Sequence, residues 1–182
     1  MGLQRIKVVV VLLVLGAFAV TFVGYTAAQD ATPPAGPITA MELAPGVTAE
    51  VLAAAPSAVA PNQTVYVARF VFQSGAAIFP HSHPGTTVLG VQSGSFGWTL
   101  VAGTAHVVHG AGSGATGPVE DITEPGTEVI LEPGDEIYYE SDVTHTARGA
   151  GDTEAVVLGS LVLEAGAPLL MPAGMDMSTP TS

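Results

Sequence analysis

Short runs of β-branched and aromatic residues, each ended by glycine or proline, fill most of the chain from about residue 39 onward. VYVARFVF (65–72) lies between Pro61-Asn62 and Ser74-Gly75. TTVLGVQ (86–92) ends at Ser93-Gly94, and FGWTLV (96–101) ends at Ala102-Gly103. AHVVH (105–109) is short and precedes a glycine-rich stretch, GAGSGATGP (110–118), that reads as a flexible loop. TEVILE (127–132), a Pro133-Gly134-Asp135 turn, EIYYE (136–140), a stretch around His145 and AVVLGSLVLE (155–164) complete the series. No helical period is found beyond the N-terminal segment. Strand-like runs spaced roughly 8 to 12 residues apart predict an all-β sandwich or barrel with little helix.

The N-terminal segment is of another kind. Arg5 and Lys7 precede an uncharged run from Val8 to Val23, and the small residues Thr26, Ala27 and Ala28 follow. This three-part pattern is that of a secretory signal. Gly24 and Tyr25 would lengthen the apolar run toward the roughly 20 residues of a membrane anchor. Residues 1–28 are therefore expected to be a signal peptide or an N-terminal anchor. Residues 29–38 read as a proline- and alanine-rich linker, 39–165 as one domain and 166–182 as a flexible tail. The expected location is secreted or extracytoplasmic, with a membrane contact only through a retained N-terminal segment.

Charge and composition narrow the chemistry. Beyond residue 28 only Arg69 and Arg148 stand against all 16 acids, a net charge of −14 with histidine neutral. No basic patch is available for a phosphate backbone, so nucleic acid is not an expected partner. The absence of cysteine excludes disulfides, thiolate catalysis and thiolate metal clusters.

His81 and His83 are the first chemical signal. Residues i and i+2 of a strand share a face, so both imidazoles can converge on one ion. The pair alone is equally compatible with two histidines on a wet loop edge. Its surroundings add more: Gly75, five residues, His81-Ser82-His83, three residues, Thr87, six residues, Gly94. This resembles the first motif of the cupin family, G-x5-H-x-H-x3-E-x6-G, with Thr87 where the family has Glu. GDEIYYESDVTHTARG (134–149) resembles the second motif, G-x5-P-x-G-x2-H-x3-N. Gly134 and His145 align there, while Glu140, Asp142 and Gly149 replace the proline, glycine and asparagine.

The resemblance covers roughly residues 60 to 163. It implies a double-stranded β-helix, or jelly-roll, barrel that holds a divalent metal inside through His81, His83 and His145. It does not imply one reaction, since a fold hosts many chemistries. Three neutral imidazoles suit Zn, Fe, Cu, Mn or Ni and leave coordination positions open. With Thr87 a poor ligand, the family's usual three-histidine, one-glutamate set is in doubt. Glu140 and Asp142 read as solvated turn acids, and the facing of Glu136 is undecided. His106 and His109, three apart in a strand, should take opposite faces and form no second pair. Phe70, Phe72, Trp98, Tyr138 and Tyr139 read as core or pocket wall. Met171, Met175 and Met177 read as a loosely packed tail.

Three functions fit these residues. The first is a metal-dependent enzyme, oxygenase- or isomerase-like, acting on a small molecule. The second is a non-catalytic domain that binds or senses a metal or small ligand, and the third is a plain barrel with vestigial histidines. A homodimer would be ordinary for the family.

Overall fold

The structure is a computed structural model that describes residues 40–110 and 117–174. The signal or anchor segment, the linker, Met175 and Met177 lie outside the described residues. Thirteen strands follow in order. They are β1 (Ala40–Ala44), β2 (Val47–Pro56), β3 (Gln63–Phe72), β4 (Ala77–Ser82), β5 (Gly85–Ser93), β6 (Phe96–Ala102) and β7 (Ala105–Val108). After them come β8 (Val119–Ile122), β9 (Glu128–Leu131), β10 (Glu136–Tyr139), β11 (Thr144–Gly149), β12 (Ala155–Glu164) and β13 (Met171–Pro172). Among the described residues no helix is long and apolar enough to cross a membrane.

The strands form two antiparallel sheets. One has the order β1-β2-β3-β12-β5-β10-β7-β8, the other β13-β4-β11-β6-β9. Neighbours in the sheets are mostly distant in sequence, which is the jelly-roll way of covering strand edges. β12 is the spine of the large sheet. It pairs residue for residue with β3, from Ala155↔Phe72 to Glu164↔Gln63, and with β5 on its other side. Its alternation sends Ala155, Val157, Leu161 and Leu163 inward, all fully buried. The inner faces of both sheets meet there with Phe96, Trp98, Leu100, Leu131 and Ile137. Each such aliphatic or phenyl side chain contributes about 1.5 to 3 kcal/mol on leaving water.

β2 and β8 are among the strands that are not visible as β-runs in the sequence. β2 contains Ala53-Ala54-Ala55, a composition depleted in strands, yet it pairs with β3 along most of its length. β8 is the acidic segment Val119-Glu120-Asp121-Ile122, held as an edge strand by its ladder to β7. In both cases a long-range partner outweighs local preference. The tail expected from residue 166 also begins as ordered structure: Met171 pairs with Ser82, and Pro172 with His81.

The motif glycines have different structural duties. Gly75 and Gly94 both sit in the left-handed region, at φ 72° and 71°. A Cβ on Gly75 would meet nothing within 4 Å, whereas one on Gly94 would lie 2.2 Å from the backbone oxygen of Glu154. Gly75→Ala is therefore expected to cost only the left-handed penalty, about 1 to 2 kcal/mol. Gly94→Ala must also move the β12 entry backbone, and a clearly larger loss is expected. Urea midpoints of the two variants check this ranking; equal losses would contradict it.

Candidate metal centre

β4 does not run straight to its histidines. Ile78 pairs with Ala147 and His81 with His145, so three steps on β4 oppose two on β11. The extra residue is a bulge around Phe79-Pro80, where a residue without an N–H is tolerated. The bulge returns His81 to the inner face, and its ring Nδ1–H donates to the Phe79 carbonyl at 2.8 Å. His83 follows just past the strand end and donates Nδ1–H to the Leu169 carbonyl. Each bond fixes the tautomer that leaves Nε2 with a free lone pair.

The third histidine comes from β11. Alternation buries His145, Ala147 and Gly149 on one face. The His145 ring stacks on Trp98 at 5.0 Å between centroids and lies 4.3 Å from the His81 ring. One nitrogen from each of His81, His83 and His145 falls within 4.8 Å of the others, and all three residues are buried. Burial lowers the pKa of each. It takes His83 to about 4, with the nearby His81 adding to the effect, and holds His145 well below its ordinary value with help from His81 and His83. At neutral pH all three are uncharged, the form that donates to a metal.

The fit to a metal can be judged from the polar atoms left over. The Tyr139 hydroxyl lies 3.3 Å from His145 Nε2, and burial raises the Tyr139 pKa so that the phenol stays neutral. Among the described residues His145 Nδ1 has no partner. An unpaired buried nitrogen costs about 1 to 3 kcal/mol, a penalty that an ion or an ordered water would relieve. The donor set is three neutral imidazoles, a chemically legitimate one. Thr87 faces the interior opposite Tyr139 and Leu161, fully buried, and its hydroxyl is likewise unpartnered. Among the described residues no carboxylate joins the group.

The acids and outer histidines lie elsewhere. Glu140 is exposed and accepts a 2.6 Å hydrogen bond from the Thr86 hydroxyl, and Asp142 is exposed. Ile137 and Tyr139 take the inner face of β10, so Glu136 takes the outer one. Tyr138 therefore corrects the core reading made from sequence: adjacent tyrosines of one strand must point opposite ways. It stacks on His106 across the outer face. His106 bonds Asp121, while His109, one residue past the end of β7, bonds Glu120 on the surface. Neither histidine enters the barrel. His109 is not on an opposite strand face as expected, because β7 ends at Val108.

Beside the three histidines lies a cavity of about 20 Å³, walled by Phe70, Phe72, Ile78, Leu89 and Leu170 among others. That is room for about one water-sized guest. Arg69 and Arg148 are both outside, paired with Glu50 and Glu128. Among the described residues, no cationic side chain faces the cavity.

The fold is a jelly roll of two antiparallel sheets, with His81 from β4, His83 just beyond it and His145 from β11 converging inside, the arrangement that the resemblance to the cupin motifs implies. Comparison with solved structures returns chains of low sequence identity, some of them described as cupins. A cupin superfamily protein from Desulfitobacterium hafniense shares 16% identity over 65% of this chain and 78% of its own, with a TM-score of 0.41. A polyketide cyclase from Streptomyces resistomycificus shares 14% over 78% and 83%, with a TM-score of 0.42. An oxalate decarboxylase from Bacillus subtilis shares 16% over 74% of this chain but 30% of its own, with a TM-score of 0.48. Comparison with family models and with curated protein sequences found no match.

Proposed function

We propose that this chain is an extracytoplasmic single-domain cupin that binds one divalent metal through His81, His83 and His145 and presents it to a small ligand. The observation that carries the reading is the convergence of three buried, neutral histidines, one with an unpartnered ring nitrogen. With no carboxylate in the set, a bound ion would keep its full charge, polarise a ligand and lower the pKa of bound water. The chain's own residues do the rest. The apolar walls exclude bulk water, Trp98 holds the His145 ring, and the neutral Tyr139 hydroxyl lies 3.3 Å from His145 Nε2, which leaves Nδ1 as the ring's unpartnered nitrogen among the described residues. The lack of a cationic group in the cavity favours a compact, uncharged ligand over a dicarboxylate. The leader-like N-terminal segment and the acidic, cysteine-free composition support the location.

A non-catalytic binding role is the second reading, and the small size of the cavity favours it. Metal-replete protein challenged with compact neutral substrates and dioxygen separates the two. Metal-dependent turnover lost in His145→Ala supports the enzyme, whereas tight ligand retention with no turnover supports the binding domain. N-terminal sequencing of protein from the culture medium or envelope fraction tests the location; a chain beginning at Met1 in the cytosol would refute it.

A further inference from the structure

Both sequence motifs end before β13, yet residues beyond them reach the histidine group. After β12 the chain turns at Gly166, with Ala165 N–H donating to the Asn62 carbonyl at 2.8 Å and Ala167 N–H to the Glu164 carbonyl at 3.1 Å. It then crosses the β4 edge. Met171 pairs with Ser82 and Pro172 with His81, and Ala173 N–H donates to the Pro80 carbonyl at 2.8 Å. The crossing is thus anchored at both ends. Between the anchors, Leu169 and Leu170 pack on the core, the Leu169 carbonyl accepts from His83 Nδ1, and Leu170 lines the cavity.

We propose that residues 165–173 form a strap that completes the site: the Leu169 carbonyl is the positioning group for His83, and Leu170 sets the size of ligand admitted. This rests on the metal-binding reading given above. The reasoning is chemical. His83 lies past the end of β4, and among the described residues no other hydrogen bond holds its ring. Without an acceptor at Nδ1 the ring is free to protonate Nε2 instead, which removes the lone pair from the group. Outer-shell acceptors of this kind are worth about 10- to 100-fold in metal affinity. Leu170 closes a cavity of one-water size, so its removal should admit a ring-sized ligand.

The test compares the complete chain with one ending at Ala165 and with Leu170→Ala. Co²⁺ affinity is measured by competition with a chromophoric chelator, and His83 ring ¹⁵N shifts are read on the metal-free proteins. The truncated chain should bind Co²⁺ about 10- to 100-fold more weakly and lose the Nδ1–H tautomer of His83. Leu170→Ala should keep the Co²⁺ affinity within about threefold, since it spares the backbone carbonyl, and should let imidazole shift the Co²⁺ visible spectrum where the complete chain does not. Because Leu170→Ala keeps the strap, it tests the size role even if truncation unfolds the barrel. Unchanged affinity and tautomer on truncation, or imidazole access already present in the complete chain, would overturn the proposal. If the complete chain binds no Co²⁺, the metal-binding reading fails on its own, and the ¹⁵N shifts still decide whether Leu169 positions His83.

Discussion

His81→Ala, His83→Ala and His145→Ala each empty the metal site. Protein purified without a histidine tag is expected to carry close to one metal per chain by mass spectrometry, and each variant well under a tenth of that. The magnitude follows from the donor set. Outer-shell partners alone are worth about 10- to 100-fold, and removing one of only three direct ligands must exceed that. Among the described residues no neighbouring carboxylate is in place to substitute, because position 87 is threonine and Glu140 and Asp142 face solvent. Stability should follow occupancy. At free metal about a thousandfold above Kd, binding adds about 4 kcal/mol. At about 2 to 4 °C per kcal/mol, that moves the wild-type Tm by on the order of 10 °C and leaves the variants where they were. His106→Ala is the control and should retain its metal, since that ring lies on the outer face against Tyr138 and Asp121. A wild-type chain that stays empty after soaking in iron, zinc, copper, nickel and manganese would end the metal reading and leave a plain barrel.

Trp98→Ala is the second large effect. Trp98 is the largest fully buried side chain and is packed against both His145 and Tyr139. Truncating it leaves a cavity that the two sheets cannot close, at about 3 to 5 kcal/mol. That is a large share of the roughly 5 to 15 kcal/mol that holds a domain folded. The same change frees the His145 ring, so metal affinity should fall as well. Trp98→Phe keeps an aromatic ring in the same place. The phenyl ring refills much of the space against His145 and Tyr139, so the variant should lose well under half as much stability. Urea unfolding of both variants gives the comparison. A loss below about 1 kcal/mol for Trp98→Ala would mean that the site walls are not load-sharing parts of the core.

Much of the barrel was legible from local pattern. β3, β5, β6, β10 and β12 are runs of valine, leucine, isoleucine and aromatics closed by glycine or proline, and they sit within a residue or two of where the sequence places them. His81 and His83 were legible as a pair because alternation along a strand is a property of the chain alone, and His145 through the resemblance of residues 134–149 to the second cupin motif. β2 and β8 were not. Their alanines and acids carry no strand preference, and only a partner strand makes their ladders favourable.

By itself, the sequence determined the all-β class, the spacing of the three histidines and the threonine at the motif's glutamate position, because side-chain period, residue identity and motif spacing are local quantities. Tertiary structure alone decided the rest. The order of thirteen strands, the bulge that turns His81 inward and the fall of the histidine pKa values depend on pairing and burial between distant residues. So does the reach of Leu169, 86 residues from His83 in sequence, to one ring nitrogen. A hydrogen bond across that separation has no local signature, since it exists only once the barrel has closed.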